Sequence, residues 1–250
     1  MKHYLSILIF VTGIALTAFY SDNTSITIAI IALLGAVYLA VTIAGVSIIK
    51  WNYFIKSINN APAGKVVFTF DDSPCPKDVE VLEILKKENI QAGFFVIGDN
   101  IDAHSDILKQ IRHDGHVIGN HSFSHQNKIG WMSTSKMKEE IEQCNAAIIE
   151  ITGTKPIFYR PPFGIVNPNI ARAIQQTKMI SIGWSIRTYD TTKMDKERLI
   201  SKNLKKLNSD GHIILMRSNG AHTPSLLQAM IDKCRSNGIE IANFNSLITK

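Results

Sequence analysis

Two adjacent carboxylates, Asp71 and Asp72, end a short apolar run in the stretch Thr69-Phe70-Asp71-Asp72-Ser73-Pro74. Carboxylates leaving a buried strand are costly to leave unpaired. One chemistry that uses both places one carboxylate on a cation and keeps its neighbour ionised as a base. The alternative is a pair of N-capping residues ahead of a helix that begins near Val79. Farther along, His121 and His125 stand four residues apart in His-Ser-Phe-Ser-His. That spacing puts two imidazoles on one side of a helical turn, where both reach one metal ion. With Asp72 they form a set that leaves coordination positions for water, as catalytic sites do and closed structural sites do not. A third stretch, Arg160-Pro161-Pro162-Phe163-Gly164, is a loop fixed by its prolines and glycine. Such a loop either presents an Arg and a backbone N–H at a set place or is simply a rigid turn. His104, His113 and His116 read as ordinary surface or core residues.

These groups need a frame to bring them together, and the periodicity from about residue 61 supplies one. Short apolar runs at 66–70, 94–97, 116–120, 157–159, 179–185, 213–216 and 239–242 read as strands. Between them, amphipathic stretches at 79–89, 101–113, 134–151, 168–177, 196–207 and 224–237 read as helices, with Gly153 and Gly238 as stops. Strands alternating with helices predict an α/β fold built on a parallel sheet or barrel. Chemistry in such folds sits beyond the carboxyl ends of the strands, where all three polar stretches fall. The segment 59–64 is the one hinge candidate.

The first 60 residues have another texture. Neither 4–20 nor 26–49 contains a Lys, Arg, Asp or Glu, and a polar turn, Ser21-Asp22-Asn23-Thr24-Ser25, separates them. The second run as a helix covers about 36 Å, enough for a hydrocarbon core of ~30 Å, and the first is near the lower limit. A two-helix transmembrane hairpin over residues 1–60 is the expectation. A cleaved signal peptide is the alternative, but it leaves the second apolar run unexplained. Lys2, Lys50, Lys56 and Lys65 flank the pair while the turn holds only Asp22, which by the positive-inside rule puts both ends on the cytoplasmic side. Trp51, Tyr53 and Phe54 suit the interfacial belt. The net charge is +6 and the pI about 9.2. That excess fits a membrane partner better than nucleic acid, because it is scattered without an aromatic-interleaved basic stripe. Three widely spaced cysteines, Cys75, Cys144 and Cys234, exclude a disulfide scaffold and lean slightly toward a reducing compartment.

From Lys65 to the C-terminus the chain resembles the polysaccharide deacetylase family with the NodB-homology domain, carbohydrate esterase family 4. The resemblance rests on three motifs in order, TFDDSP, HSFSH and RPPFG, which are weak singly and specific together. It implies a distorted (β/α)7-type barrel over residues 61–250 and a metal-dependent hydrolase that removes acetyl groups from an N-acetylated sugar. By resemblance, Asp72, His121 and His125 hold a divalent metal, usually zinc, with cobalt or nickel as alternatives. Asp71 is then the general base, Arg160 orients it, and the Phe163 N–H helps form the oxyanion hole.

The later motifs depart from the family. In Trp184-Ser185-Ile186-Arg187-Thr188-Tyr189-Asp190-Thr191, Asp190 matches the second aspartate of the fourth motif. Arg187 stands where the first is expected, and Thr191 replaces a tryptophan. Trp184 walls the site from the strand itself. In Leu215-Met216-Arg217-Ser218, Leu215 fits the acyl pocket, and Arg217 stands where the family has its general-acid histidine. A guanidinium keeps its proton at neutral pH and cannot serve as that acid. Three readings follow. Water or His222 donates the proton; or the substrate is an O-acetyl ester, whose leaving alkoxide needs less help; or catalysis is lost and the domain binds sugar around an intact metal site. Arg217 also suits a phosphate, so a lipid-linked saccharide on the cytoplasmic face joins an envelope polysaccharide on the outer face as a candidate substrate. The sequence leaves oligomeric state open.

Overall fold

The structure is a computed structural model that describes residues 2–248. Its sheet is parallel, and it is built outward from β1 (Lys65–Ser73). Successive side chains of a strand point to opposite faces. Val66, Phe68 and Phe70 accordingly face the helix layer and pack with Leu82, Leu85 and Met230. Val67 faces inward, against Phe95, Phe158 and Phe244. The same alternation gives Thr69 and Asp71 to the interior, so β1 delivers one carboxylate to the open end of the barrel.

β2 (Gly93–Val96), β3 (Val117–Asn120), β4 (Phe158–Tyr159) and β5 (Ile180–Ser181) follow on one side of β1. β7 (His212–Arg217) and then β6 (Ile186–Arg187) follow on the other, and β8 (Glu240–Ile241) pairs with the start of β1. The crossovers are α3 (Asp78–Lys87), α4 (Ser105–His113), α5 (Thr134–Thr152), α6 (Pro168–Gln176), α7 (Lys196–Leu204) and α8 (Thr223–Ser236). The result is the expected α/β fold, a parallel sheet curled into a distorted barrel. The segment 179–185 is not the single strand its apolar run predicts. Its two halves belong to β5 and to the run leading into β6, which lie at opposite ends of the strand path. That short connection forces the sheet to curl until its two edges approach. The helix expected over 101–113 begins only at Ser105, preceded by short 3-10 turns at Gly98–Asn100 and Asp102–His104. α5 stops where expected, because Gly153 takes the left-handed conformation (φ 64°) that a side chain resists.

The hinge candidate at 59–64 is packed, not slack: Asn59 and Ala61 are buried, and Gly64 N donates to Ser209 O at 2.7 Å. Just before it, Ile58 bridges to Ile182 and Ser57 Oγ is 2.7 Å from Ser181 Oγ. β4 and β5 are short, and this segment prolongs their edge.

α1 (Lys2–Tyr20) and α2 (Thr24–Ser47) form an antiparallel pair, with Phe10 stacked on Tyr38 at 4.8 Å and Asn23 capping α2. Both are long and apolar enough to cross a membrane, and neither is buried by the rest of the chain. Their open end is fastened to the barrel. Lys2 Nζ donates to Trp51 O at 2.7 Å, Ser6 Oγ meets the Tyr53 hydroxyl, and Val166 N donates to Val46 O at 3.1 Å.

His116, at the mouth of β3 away from the motifs, is a buried core histidine whose Nδ1 accepts from Ala92 N at 3.2 Å. Burial pulls its imidazole down to about 4. The unfolded chain therefore takes up this proton near pH 6.5 and the folded chain only near 4, so stability is lost as pH falls through that window. His116→Asn keeps an acceptor in the Nδ1 position and removes the titration. Urea unfolding is expected to show the variant gaining about 3 kcal/mol on wild type between pH 7 and pH 4.

Candidate metal and catalytic site

The motif residues meet at the carboxyl ends of β1, β3, β4 and β7. Asp71 pairs in register with Arg217 across β1 and β7, and Asn120 with Tyr159 across β3 and β4. His121 and Arg160 are then the next residues out of their strands. A regular strand that turns Asp71 inward turns Asp72 outward, into the helix layer. The structure avoids this with a bulge between Phe70 and Ser73, where Asp72 adopts φ 65°. The left-handed residue brings its carboxylate round to the same side as Asp71.

HSFSH is not a helical turn. Ser122 and His125 both have positive φ, 71° and 46°, and the loop is held by side chains. Asn120 Oδ1 accepts from Ser122 N at 2.8 Å, and Ser122 Oγ accepts from His125 N at 3.1 Å. Glu140, buried on α5, accepts from the Ser124 amide at 2.8 Å and from its hydroxyl at 2.9 Å. The two imidazoles still converge, with ring centroids 4.9 Å apart, but by loop geometry and not by helical spacing. Asn120 and Glu140 escape a reading of the motifs. Glu140 has a signal nonetheless, since it sits on the apolar stripe Met137, Ile141, Cys144 that α5 buries.

Asp72 Oδ1 lies 3.8 Å from His121 Nε2 and 3.7 Å from His125 Nε2, and all three atoms fall within 4.8 Å of one another. Each of the three is buried and without a hydrogen-bond partner among the described residues. Buried polar atoms of native proteins are satisfied, so three orphans aimed at one point fit a shared cation. Nitrogen and oxygen ligands about 2.0–2.2 Å from zinc require only a small closing of these gaps. His121 is prepared for that role. Its Nδ1–H donates to Arg160 O at 2.7 Å, which leaves the Nε2 lone pair outward. Burial, reinforced by His125, pulls its imidazole down to about 3, so it is neutral at working pH. Burial also lowers His125.

Asp71 is gripped from behind. Arg160, wholly buried, donates from Nη1 to Asp71 Oδ1 and to Thr69 Oγ1, both at 2.8 Å, and from Nη2 to Gly183 O at 2.9 Å. Its guanidinium carbon stands 4.0 Å from the centre of the Phe95 ring. Asp71 Oδ2 is left toward the orphaned cluster, 3.7 Å from His121 Nε2. Burial raises the Asp71 carboxyl, and the Arg160 charge and hydrogen bond pull it back. The carboxylate is thus fixed in direction and, on balance, more basic than a solvated one.

Phe163 is a non-glycine residue at φ 59°, with its ring 4.7 Å from that of His125. The Gly164 and Ile165 amides are spent on Pro161 O and Pro162 O, so the Phe163 N–H is this turn's candidate donor. The Trp184 ring lies so close over Gly164 that a Cβ there meets it at 2.5 Å. Leu215 is buried on β7 beside Thr69. Asp190 lies behind the strand end. Its Oδ2 accepts from the Arg217 amide at 2.8 Å and the Thr223 hydroxyl at 2.7 Å, tying β7 to the start of α8, and burial raises it. The Arg217 side chain reaches back over the site, with Nε 3.4 Å from Asp72 Oδ2.

The sequence profile of the polysaccharide deacetylases matches residues 58–182. The chain belongs to that family. A peptidoglycan N-acetylglucosamine deacetylase of Listeria monocytogenes is 30% identical over 184 residues, which are 73% of this chain and 38% of that protein. The polysaccharide deacetylase match thus spans about two fifths of that relative's length. The chitin deacetylase of the fungal pathogen Colletotrichum lindemuthianum shares the fold, with a TM-score of 0.73 at 23% identity over 78% of this chain and 92% of its own. A family 4 carbohydrate esterase pseudoenzyme from Bacillus anthracis has a TM-score of 0.69 at 25% identity, over 75% of this chain and 66% of its own. Polysaccharide deacetylases are generally dependent on a divalent metal, in keeping with the Asp72, His121, His125 cluster.

Proposed function

We propose that this chain is a membrane-anchored, metal-dependent deacetylase acting on an N-acetylated sugar of a cell-envelope polysaccharide or a lipid-linked saccharide. The observation that carries the reading is the convergence of three unpartnered ligand atoms beside a carboxylate clamped by a buried arginine. A divalent ion held by Asp72, His121 and His125, zinc by donor type with cobalt or nickel as alternatives, supplies Lewis acidity to the acetyl carbonyl and to water. Asp71 Oδ2 accepts the attacking water's proton, and Arg160, bonded to Oδ1, fixes the direction in which the carboxylate presents it. The Phe163 N–H donates to the oxyanion. Leu215 and Trp184 enclose the acetyl group and exclude bulk water. The departing nitrogen is protonated from solvent or from His222, since Arg217 cannot release a proton at neutrality. Asp190 positions the Arg217 backbone. The two apolar helices anchor the protein, and the lysines around them favour the cytoplasmic face.

A second reading, a sugar-binding member without turnover, is favoured by one observation: a fixed cation occupies the place of the acid. The similar Bacillus anthracis protein is described as a pseudoenzyme, and a mutant of such a protein as having restored activity. The reconstituted protein, loaded with zinc, is assayed for acetate release from N-acetylated chito-oligosaccharides and from O-acetylated sugars. Release from either supports the enzyme; release from neither, with metal bound, supports the second reading. His121→Ala is expected to weaken zinc binding by more than the 10- to 100-fold typical of outer-shell changes, measured by metal analysis after dialysis. Unchanged zinc content removes His121 from the ligand set.

A further inference from the structure

We infer that the loop 129–132, with Trp131 at its tip, is a lipid-interface contact that seats the site on the bilayer that α1 and α2 span. The inference rests on the anchor reading above and extends it to the hydrolytic domain. Trp131 is 92% exposed, about twice any other large apolar side chain described outside the helical hairpin and its exit. An indole so exposed is unusual on a water-facing loop and normal at a membrane surface, where its ring and its N–H find different media.

Its neighbours say which surface this is. Thr42, Ile43 and Val46 of α2 face Gly130, Trp131 and Ile165 across a cavity of about 390 Å³. Thr42 lies five residues inside the end of α2 at Ser47, about 7.5 Å along the axis at 1.5 Å per residue. That depth compares with the 5–7 Å or so of polar interface on each side of the hydrocarbon core. The cavity is thus continuous with the lipid-facing wall of α2, at the level where headgroups meet acyl chains. Interfacial phospholipid is the occupant the geometry fits.

The contact is rigidly joined to the site. Val166 N bonds Val46 O at 3.1 Å, and Asn167 Nδ2 bonds Gly130 O at 2.7 Å. Ile129 shares a core cluster with Phe163 and Ile165, and the Phe163 ring touches His125. Seating Trp131 therefore holds a candidate metal ligand and the oxyanion turn close above the headgroups, within reach of saccharides carried on lipid.

The test uses the full chain in vesicles of phosphatidylethanolamine and phosphatidylglycerol, with and without phosphatidylcholine brominated high on its acyl chains. One protein keeps Trp131 alone (Trp51→Phe, Trp184→Phe); a second keeps Trp51 alone (Trp131→Phe, Trp184→Phe). The Trp131 emission is expected to fall by half or more with brominated lipid and to resist acrylamide. Quenching of Trp51 by brominated lipid while Trp131 answers only to acrylamide overturns the inference and leaves the anchor standing. If neither responds to brominated lipid, the anchor reading fails and this contact with it. Should Trp184→Phe not fold, the difference between wild type and Trp131→Phe gives the same readout.

Discussion

Asp71→Asn is expected to lower kcat by roughly 10²- to 10⁴-fold while zinc content stays unchanged. The amide keeps the shape of the carboxylate but cannot take a proton from water. Metal binding survives because the three unpartnered ligand atoms belong to Asp72, His121 and His125, and Asp71 contributes none of them. The same substitution removes the only carboxylate among the described residues that Arg160 pairs with, leaving a wholly buried guanidinium with neutral partners. Breaking a buried pair in this way costs about 3–5 kcal/mol. The variant should therefore unfold at distinctly lower urea while still binding zinc. Steady-state acetate release, metal analysis and urea unfolding on one preparation separate the three effects. Turnover within tenfold of wild type removes Asp71 as the base.

Arg217→His is expected to raise amide hydrolysis by as much as about 10²- to 10⁴-fold, the usual worth of a positioned general acid. The substitution changes little else. The Arg217 amide is held by Asp190 Oδ2 and its carbonyl by the Gly220 amide, so the backbone at this position does not depend on the side chain. Removing the guanidinium also frees Asp72 Oδ2 from a competing cation 3.4 Å away, so zinc binding should hold or tighten. The informative comparison is between amide and ester substrates. A gain on the amide with little change on the ester shows that only the acid is missing. No gain on either, with zinc bound, shows a pocket that has been altered more widely and supports the binding reading.

Much of this site was legible in the chain. TFDDSP, HSFSH and RPPFG each follow an apolar run, and strand ends are where a parallel sheet exposes polar side chains. What misled was local geometry. The spacing of His121 and His125 suggests a helical turn, yet the imidazoles converge through a loop with two positive-φ residues, held by Asn120 and Glu140. A run of apolar residues at 179–185 suggests one strand, yet it feeds two strands that lie far apart in the sheet. Hydrophobicity records that a residue is buried and is silent about which neighbour buries it. The packing at the start of the expected hinge 59–64 was missed for a related reason: the bridge of the preceding Ile58 to Ile182 is a long-range pairing that no local pattern encodes.

The two apolar helices, the alternation of strands and helices, and the choice of candidate groups for holding metal and moving protons could be read from residue order alone, because these follow from side-chain chemistry and short-range period. Long-range folding was needed to show that Asp72 turns inward on a bulge, that Arg160 is the buried partner of Asp71, that Asp190 holds the Arg217 backbone, and that the site's loops are tied to α2. Those outcomes depend on where the chain's long-range pairings place each backbone. A hydrogen bond or an ion pair is fixed to within a few tenths of an ångström, while residue spacing fixes position only to within a turn or a strand.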